Sequence, residues 1–329
     1  MKFQDRKSFI KTLGLLSAGA VLPNHASAGG RASDKRIQTN KPIDRKKDVK
    51  RSIRMAHLTD IHIKNERIAE YGMAAALREA NSHPDKVDFI MNGGDSIMNA
   101  IGHTRLNIKN QWQAFHSIVK SDSSLPMYHC IGNHDIIGWV MPDKDHREAK
   151  KWVMDEYKIV RPYYSFSKNN WKFIVLDSIH GRKSIPGYYG KLDVEQMQWL
   201  KDELATTPAD TFVCIVSHIP ILAICCIFDN GMGEIKENNR KISDNNMHAD
   251  AGDLIEIFYE HKNIRACLSG HIHLIDYVNY QGVDYYCNGA VAGGWWKGPL
   301  RHFAPSYSVM NFYEDGSTSR EVNYYKWKA

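Results

Sequence analysis

Five short polar motifs, each placed directly after an apolar run, constrain this chain more than anything in its composition. They are Asp60-Ile61-His62, Gly93-Gly94-Asp95, Gly132-Asn133-His134-Asp135, Ser217-His218 and Gly270-His271-Ile272-His273. The preceding runs at 53–58, 87–92, 127–131, 212–217 and 264–269 have the length and pattern of buried strands. A chain that ends its strands in carboxylates, an amide and imidazoles brings those groups to the edge where an α/β sheet places its ligand. Together they form the inventory for two divalent metals about 3.5–4 Å apart.

In this order the motifs resemble the calcineurin-like metallophosphoesterases, whose pattern is D-x-H, G-D, G-N-H-D/E, H and G-H-x-H. All five blocks are present between Asp60 and His273, nearly the whole globular part. The resemblance implies an α/β fold, a four-layer α/β/β/α sandwich of two mixed sheets. It also implies two divalent metal ions. Asp60, His62 and His273 would bind the first, Asp95 would bridge, and Asn133, His218 and His271 would bind the second. His134 is implied as the catalytic histidine, stabilising phosphoryl charge or giving a proton to the leaving alkoxide. Asp135 is expected to orient it or to lie behind the ligands. The implied nucleophile is a metal-bridging hydroxide, without a covalent enzyme intermediate.

The spacing agrees with this set. Ligands two residues apart project to one side of an extended segment. Glycines before Asp95, Asn133 and His271 allow close backbone approach. Oxygen and imidazole donors suit Mn, Fe or Zn. Purple acid phosphatases carry a tyrosine three residues after the bridging aspartate, whereas this chain has Met98. The D-x-H start and G-H-x-H end look more like the cyclic-nucleotide and glycerophosphodiester phosphodiesterase branch.

The formal charge of +6 is unevenly placed. Residues 1–28 carry Lys2, Arg6, Lys7 and Lys11 against Asp5, and 29–51 carry nine basic against three acidic residues. The remainder is acidic, so no nucleic-acid partner is expected, since duplex binding needs a basic face. Residues 1–28 read as an export signal, with a basic start, an apolar core and Ala26-Ser27-Ala28 as a cleavage site. The run from Asp5 to Lys11 resembles a twin-arginine signal with Lys7 in place of the second arginine. The expected destination is periplasmic or extracellular. Residues 29–51 read as a basic linker and 52–329 as one metallophosphoesterase domain. No other stretch reaches ~18 apolar residues, so no membrane span is expected.

Six cysteines raise the disulfide question in an exported chain. Cys130, Cys214, Cys267 and Cys287 end apolar runs and read as buried thiols; Cys225-Cys226 has no evident partner. Two loops stand out. The first, 219–250, directly follows His218. The second, 289–299, holds Trp295-Trp296, which cannot both enter one core. His103, His248, Trp295 and Trp296 are the substrate candidates; Tyr188-Tyr189 and Trp139 are pocket candidates for which core packing is equally in keeping. The expected function is hydrolysis of a small phosphodiester, with a phosphomonoesterase or nucleotidase as the alternative. A non-catalytic scaffold of the same fold should have lost ligands, and none is lost.

Overall fold

Apolar residues alternate along the strands, and that alternation sorts the molecule into layers. The structure is a computed structural model; it describes residues 49–138, 146–182, 187–228, 235–236 and 239–325. Residues 1–48, with the leader and most of the linker, and Trp139 lie outside the described residues.

The first half runs β1 (Arg51–Leu58), α1 (Arg67–Asn81), β2 (Phe89–Asn92), α2 (Arg105–Asp122), β3 (Met127–His129) and α3 (His146–Tyr157). Next come β4 (Tyr164–Lys168), β5 (Trp171–Val175), the pair β6 (Ile179–Gly181) and β7 (Tyr188–Gly190), α4 (Val194–Ala205) and β8 (Phe212–Val216). A short pair, β9 (Ile235–Lys236) and β10 (Asn239–Arg240), precedes α5 (Ala251–Glu260). The chain then adds β11 (Ile264–Ser269), β12 (Asp276–Tyr280), β13 (Val283–Cys287), β14 (Tyr307–Tyr313) and β15 (Thr318–Asn323).

Two large mixed sheets result, in the orders β15-β14-β1-β2-β3 and β12-β13-β11-β8-β5-β4. In the first, β1, β2 and β3 are parallel and β14 and β15 antiparallel. In the second, β5, β8, β11 and β13 are parallel and flanked by antiparallel β4 and β12. Met55, Phe89 and Met91 face Phe173, Cys214 and Val216 between the sheets. Their neighbours Ala56 and Ile90 turn outward onto Leu77, Trp112 and Val153 of the helices. Val213 and Ile215 do the same against Leu200 and Leu204 of α4 and Leu254 and Phe258 of α5. The chain is therefore a four-layer α/β/β/α sandwich, as expected.

The first strand begins at Arg51, and Lys50 pairs with Glu314 at 2.7 Å, so the sheet takes up the end of the basic stretch. All six cysteines are buried free thiols. No helix among the described residues is long and apolar enough to cross a membrane.

Candidate metal centre

Every ligand candidate lies just past the end of a strand. Asp60 and His62 follow β1, Asp95 follows β2, Asn133 follows β3, His218 follows β8, and His271 and His273 follow β11. Because these strands run parallel within each sheet, their ends gather. Two groups form: Asp60, His62 and His273; and Asp95, His218 and His271. Asn133 joins the second group, its Oδ1 lying 3.1 Å from His218 Nε2. The groups meet at Asp95, whose Oδ2 is 3.3 Å from His218 Nε2 and 3.7 Å from His62 Nε2.

The donor set fits cations. Three imidazoles each face a backbone carbonyl with one nitrogen: His218 Nδ1 with Gly93 O at 2.8 Å, His273 Nδ1 with Gly293 O at 2.7 Å, and His271 Nε2 with Asn245 O at 2.8 Å. A neutral imidazole that donates one N–H keeps a lone pair on its other nitrogen. The Nε2 atoms of His62 and His273 are only 3.0 Å apart. Asp60 Oδ1, among these imidazoles, is buried with no hydrogen-bond partner. Unanswered buried acceptors are costly in the protein alone, and a cation relieves them.

Electrostatics point the same way. Burial works against the charge of Asp60 and Asp95, yet the surrounding imidazoles hold both below the usual carboxylate range. Burial also opposes charge on His218, but Asp95 prevails and its pKa is raised to about 9. Asp60 raises His273 in the same way against burial, whereas burial takes His271 down to about 4. The buried carboxylates thus favour positive charge at this position.

One expectation is corrected. Asp60, His62, Asp95, His271 and His273 are not extended: their φ values are +54°, +48°, +54°, +70° and +59°. Left-handed turns at the first and third positions of D-x-H and H-x-H aim these side chains. Such backbone costs roughly 1–3 kcal/mol per residue and clusters where function over-determines it. Asp60 and His62 share one group, while His271 and His273 divide between the two. The expected close backbone approach is present at all three positions, a Cβ at Gly94 lying 2.7 Å from His218 Nδ1. A Cβ at Gly132 would lie 2.1 Å from Asp95 N and Oδ1, and one at Gly270 would lie 2.3 Å from Asp60 Oδ2.

His134 is half-buried, its N–H donates to Asp95 Oδ1 at 2.7 Å, and its Nδ1 has no partner. Asp135 does not orient that ring. Its carboxylate accepts N–H bonds from Asp95, Ser96, Ile97 and Gly132 and the Tyr157 hydroxyl, at 2.8–3.3 Å. It therefore clamps the Asp95 loop to the Asn133 loop from behind the ligands, and burial raises its pKa to about 7.

The tryptophans divide. Trp295 is half-buried, with its ring 4.1 Å from His62, 4.9 Å from His273 and 5.1 Å from His134. Trp296 is 2% exposed and donates Nε1–H to His62 O at 2.8 Å, so it supports the loop and is no substrate wall. His248 is also no substrate residue: it is 2% exposed and engaged by Ser217 and Asp250, each at 3.0 Å. His103 is exposed in the loop before α2. Tyr188 reaches the edge of the site, its ring 6.1 Å from His271, whereas Tyr189 packs near His180 and Arg182. Sequence reasoning missed Tyr157, which bonds Asp135 and Ser96 Oγ, and the carbonyls of Gly93, Gly293 and Asn245. A backbone carbonyl carries no residue-type signal.

A sandwich of two mixed sheets that gathers carboxylate and imidazole donors at its strand ends falls in the metallo-dependent phosphatase-like class. The model of the calcineurin-like phosphoesterase family matches residues 53–274, more than half of the chain. The chain belongs to that family. A probable cyclic nucleotide phosphodiesterase of Psychrobacter sp. is 23% identical over 215 residues, covering 64% of this chain and 54% of that one. The chain thus spans about half the length of that relative. CpdA, a 3′,5′-cyclic adenosine monophosphate phosphodiesterase of Haemophilus influenzae, is 21% identical over 286 residues, 82% of this chain and 89% of its own. The crystal structure of a dimetal phosphatase from Danio rerio aligns with a TM-score of 0.56 at 14% identity, covering 84% of this chain and 100% of that one. That likeness is one of fold.

Proposed function

We propose that this protein is a metal-dependent phosphoric ester hydrolase whose substrate is a small phosphodiester of the cyclic-nucleotide kind. The observation that carries the reading is Asp95 Oδ2, set between His218 of one ligand group and His62 of the other. A carboxylate so placed suits a bridging role. In this reading Asp60, His62 and His273 hold one ion, and Asn133, His218 and His271 hold the other. What such a pair supplies when bound is neutralised ester charge and a water acidified toward neutral pH.

The chain's own groups supply the rest. His134 is tied to Asp95 through its backbone N–H, and its half-buried ring lies beside His62 and Trp295. Protonated, it holds a phosphoryl oxygen or passes a proton to the leaving alkoxide. Trp295 offers a broad apolar face beside His62 and His134, which suits a nucleobase or another flat group. The diester preference draws on relatives described as cyclic nucleotide phosphodiesterases. Export rests on the leader sequence alone.

The test is to purify the chain from Gly29 onward, measure its metals, and compare bis-p-nitrophenyl phosphate, p-nitrophenyl phosphate and cyclic AMP with Mn present. Two ions and faster diester cleavage are expected. Faster monoester cleavage would move the substrate to nucleotides and sugar phosphates. No hydrolysis with two ions bound would sink the enzymatic reading.

A further inference from the structure

Ser217, His248 and Asp250 form a buried chain of side chains beside the second ligand group. His248 Nδ1 is 3.0 Å from Asp250 Oδ1, and its Nε2 is 3.0 Å from Ser217 Oγ. Serine, histidine and aspartate in that order suggest a nucleophile, but Ser217 is 2% exposed and its hydroxyl also lies 2.8 Å from Ile219 O. No substrate carbonyl can reach it. The chain is a latch. Its far end, Asp250 Oδ2, accepts the N–H of Leu192 at 2.9 Å, and the backbone of His248 bonds Pro220 O at 2.9 Å.

What the latch holds is the segment 244–250, which is fastened further by Gly190 N–H to Asp244 O at 2.6 Å, Ala249 N–H to Gly190 O at 2.7 Å, and an Arg182–Asp244 ion pair. Within this segment Asn245 O faces His271 Nε2 at 2.8 Å. The other end of the latch is Ser217, the residue before His218. His271 is thus placed through the segment that His248 holds, and His218 follows the serine at the latch's other end, its own Nδ1 facing Gly93 O. The first group is supported elsewhere, by Gly293 O on His273 and by Trp296 on the carbonyl of His62.

We infer that His248 is a positioning residue for one of the two ions only, the one held by Asp95, His218 and His271. The inference rests on the two-ion reading above. A ligating imidazole fixed through its other nitrogen binds more tightly, and removing such support typically costs 10–100-fold in affinity. With Ala at 248, the segment keeps its backbone bonds to Gly190 and Pro220 but loses its side-chain tie to Ser217 and Asp250, so the Asn245 carbonyl is held less firmly against His271.

Calorimetric titration of the metal-free full chain with Mn, together with electron paramagnetic resonance, tests this. Wild type is expected to take two ions and to show a coupled two-Mn spectrum. His248→Ala should bind the first ion with unchanged Kd and the second about 10–100-fold more weakly, so that at two equivalents the spectrum is that of isolated Mn. His248→Asn, which keeps an N–H near Asp250, should recover part of the loss. Ser217→Ala removes one hydroxyl and should weaken the same site less; it decides the matter if His248→Ala does not fold. Equal weakening of both ions, or of neither, overturns the inference. Wild type taking fewer than two ions overturns the two-ion reading and this inference with it, an outcome distinct from unchanged variants.

Discussion

At the scale of single residues, Asp95 and His134 make opposite predictions despite being bonded to each other. Asp95→Asn weakens the oxygen between the two ligand groups. It should cut kcat by about 10³ or more and lower metal content; elemental analysis beside a diester assay checks both. His134→Ala should cost about 10²–10⁴ in kcat, the usual worth of general acid–base help, while metal content stays at the wild-type level. If the metals leave as well, His134 is a ligand. A third prediction concerns His57, which is fully buried, with Nδ1 2.7 Å from Asn288 Nδ2. Burial takes its pKa from 6.5 to about 4. Above pH 6.5 it is neutral in both folded and unfolded chains and adds no pH dependence. Between 6.5 and 4 the unfolded chain takes a proton that the folded one refuses, so stability falls as pH drops, by about 3 kcal/mol at most. Urea midpoints at pH 7 and 4.5 should show that fall in wild type and a shallower one in His57→Gln.

At the scale of elements, the parts that carry ligands were the legible ones. Their strands are short, apolar and closed by motif residues, so β1, β2, β8 and β11 lie within a residue or two of expectation. Residue type also marks the Asp193 cap of α4, whose side chain accepts the Gln196 N–H, and the Asp315-Gly316 turn between β14 and β15. Helices gave less signal. The sequence pattern begins α2 at Trp112, yet Thr104 caps it eight residues earlier, because its first turn is exposed and polar, with Leu106 68% exposed. In α3 the apolar stripe is broken by Lys150, which is buried only because it pairs with Asp177 at 2.5 Å. Of the site, the ligand types could be read, but the left-handed turns that aim them and the carbonyls behind them could not. The loops themselves are close-fitted. Gly132→Ala would drive a methyl group into Asp95. Such a variant should fold with a melting temperature lowered by several degrees and hold fewer ions; unchanged metal content would show that the two loops can part without loss.

At the scale of the whole molecule, each ligand group draws on both sheets. Asp60, His62 and Asp95 leave the first sheet, while His218, His271 and His273 leave the second. Ions that bind only the folded form stabilise it by mass action, by about 2.7 kcal/mol for each site at 100 times its Kd. Adding Mn to chelator-treated protein should therefore raise the melting temperature, in steps if the two ions differ in affinity. An unchanged melting temperature with ions bound would mean that the unfolded chain holds them equally well.

The consequence reaches beyond catalysis. On the two-ion reading, ions that clasp two sheets would make the lifetime of the chain depend on their supply, since proteases act on the opened population and that population grows as the clasp empties. Scarcity would then silence the site and thin the number of molecules carrying it, so that one shortage is felt twice.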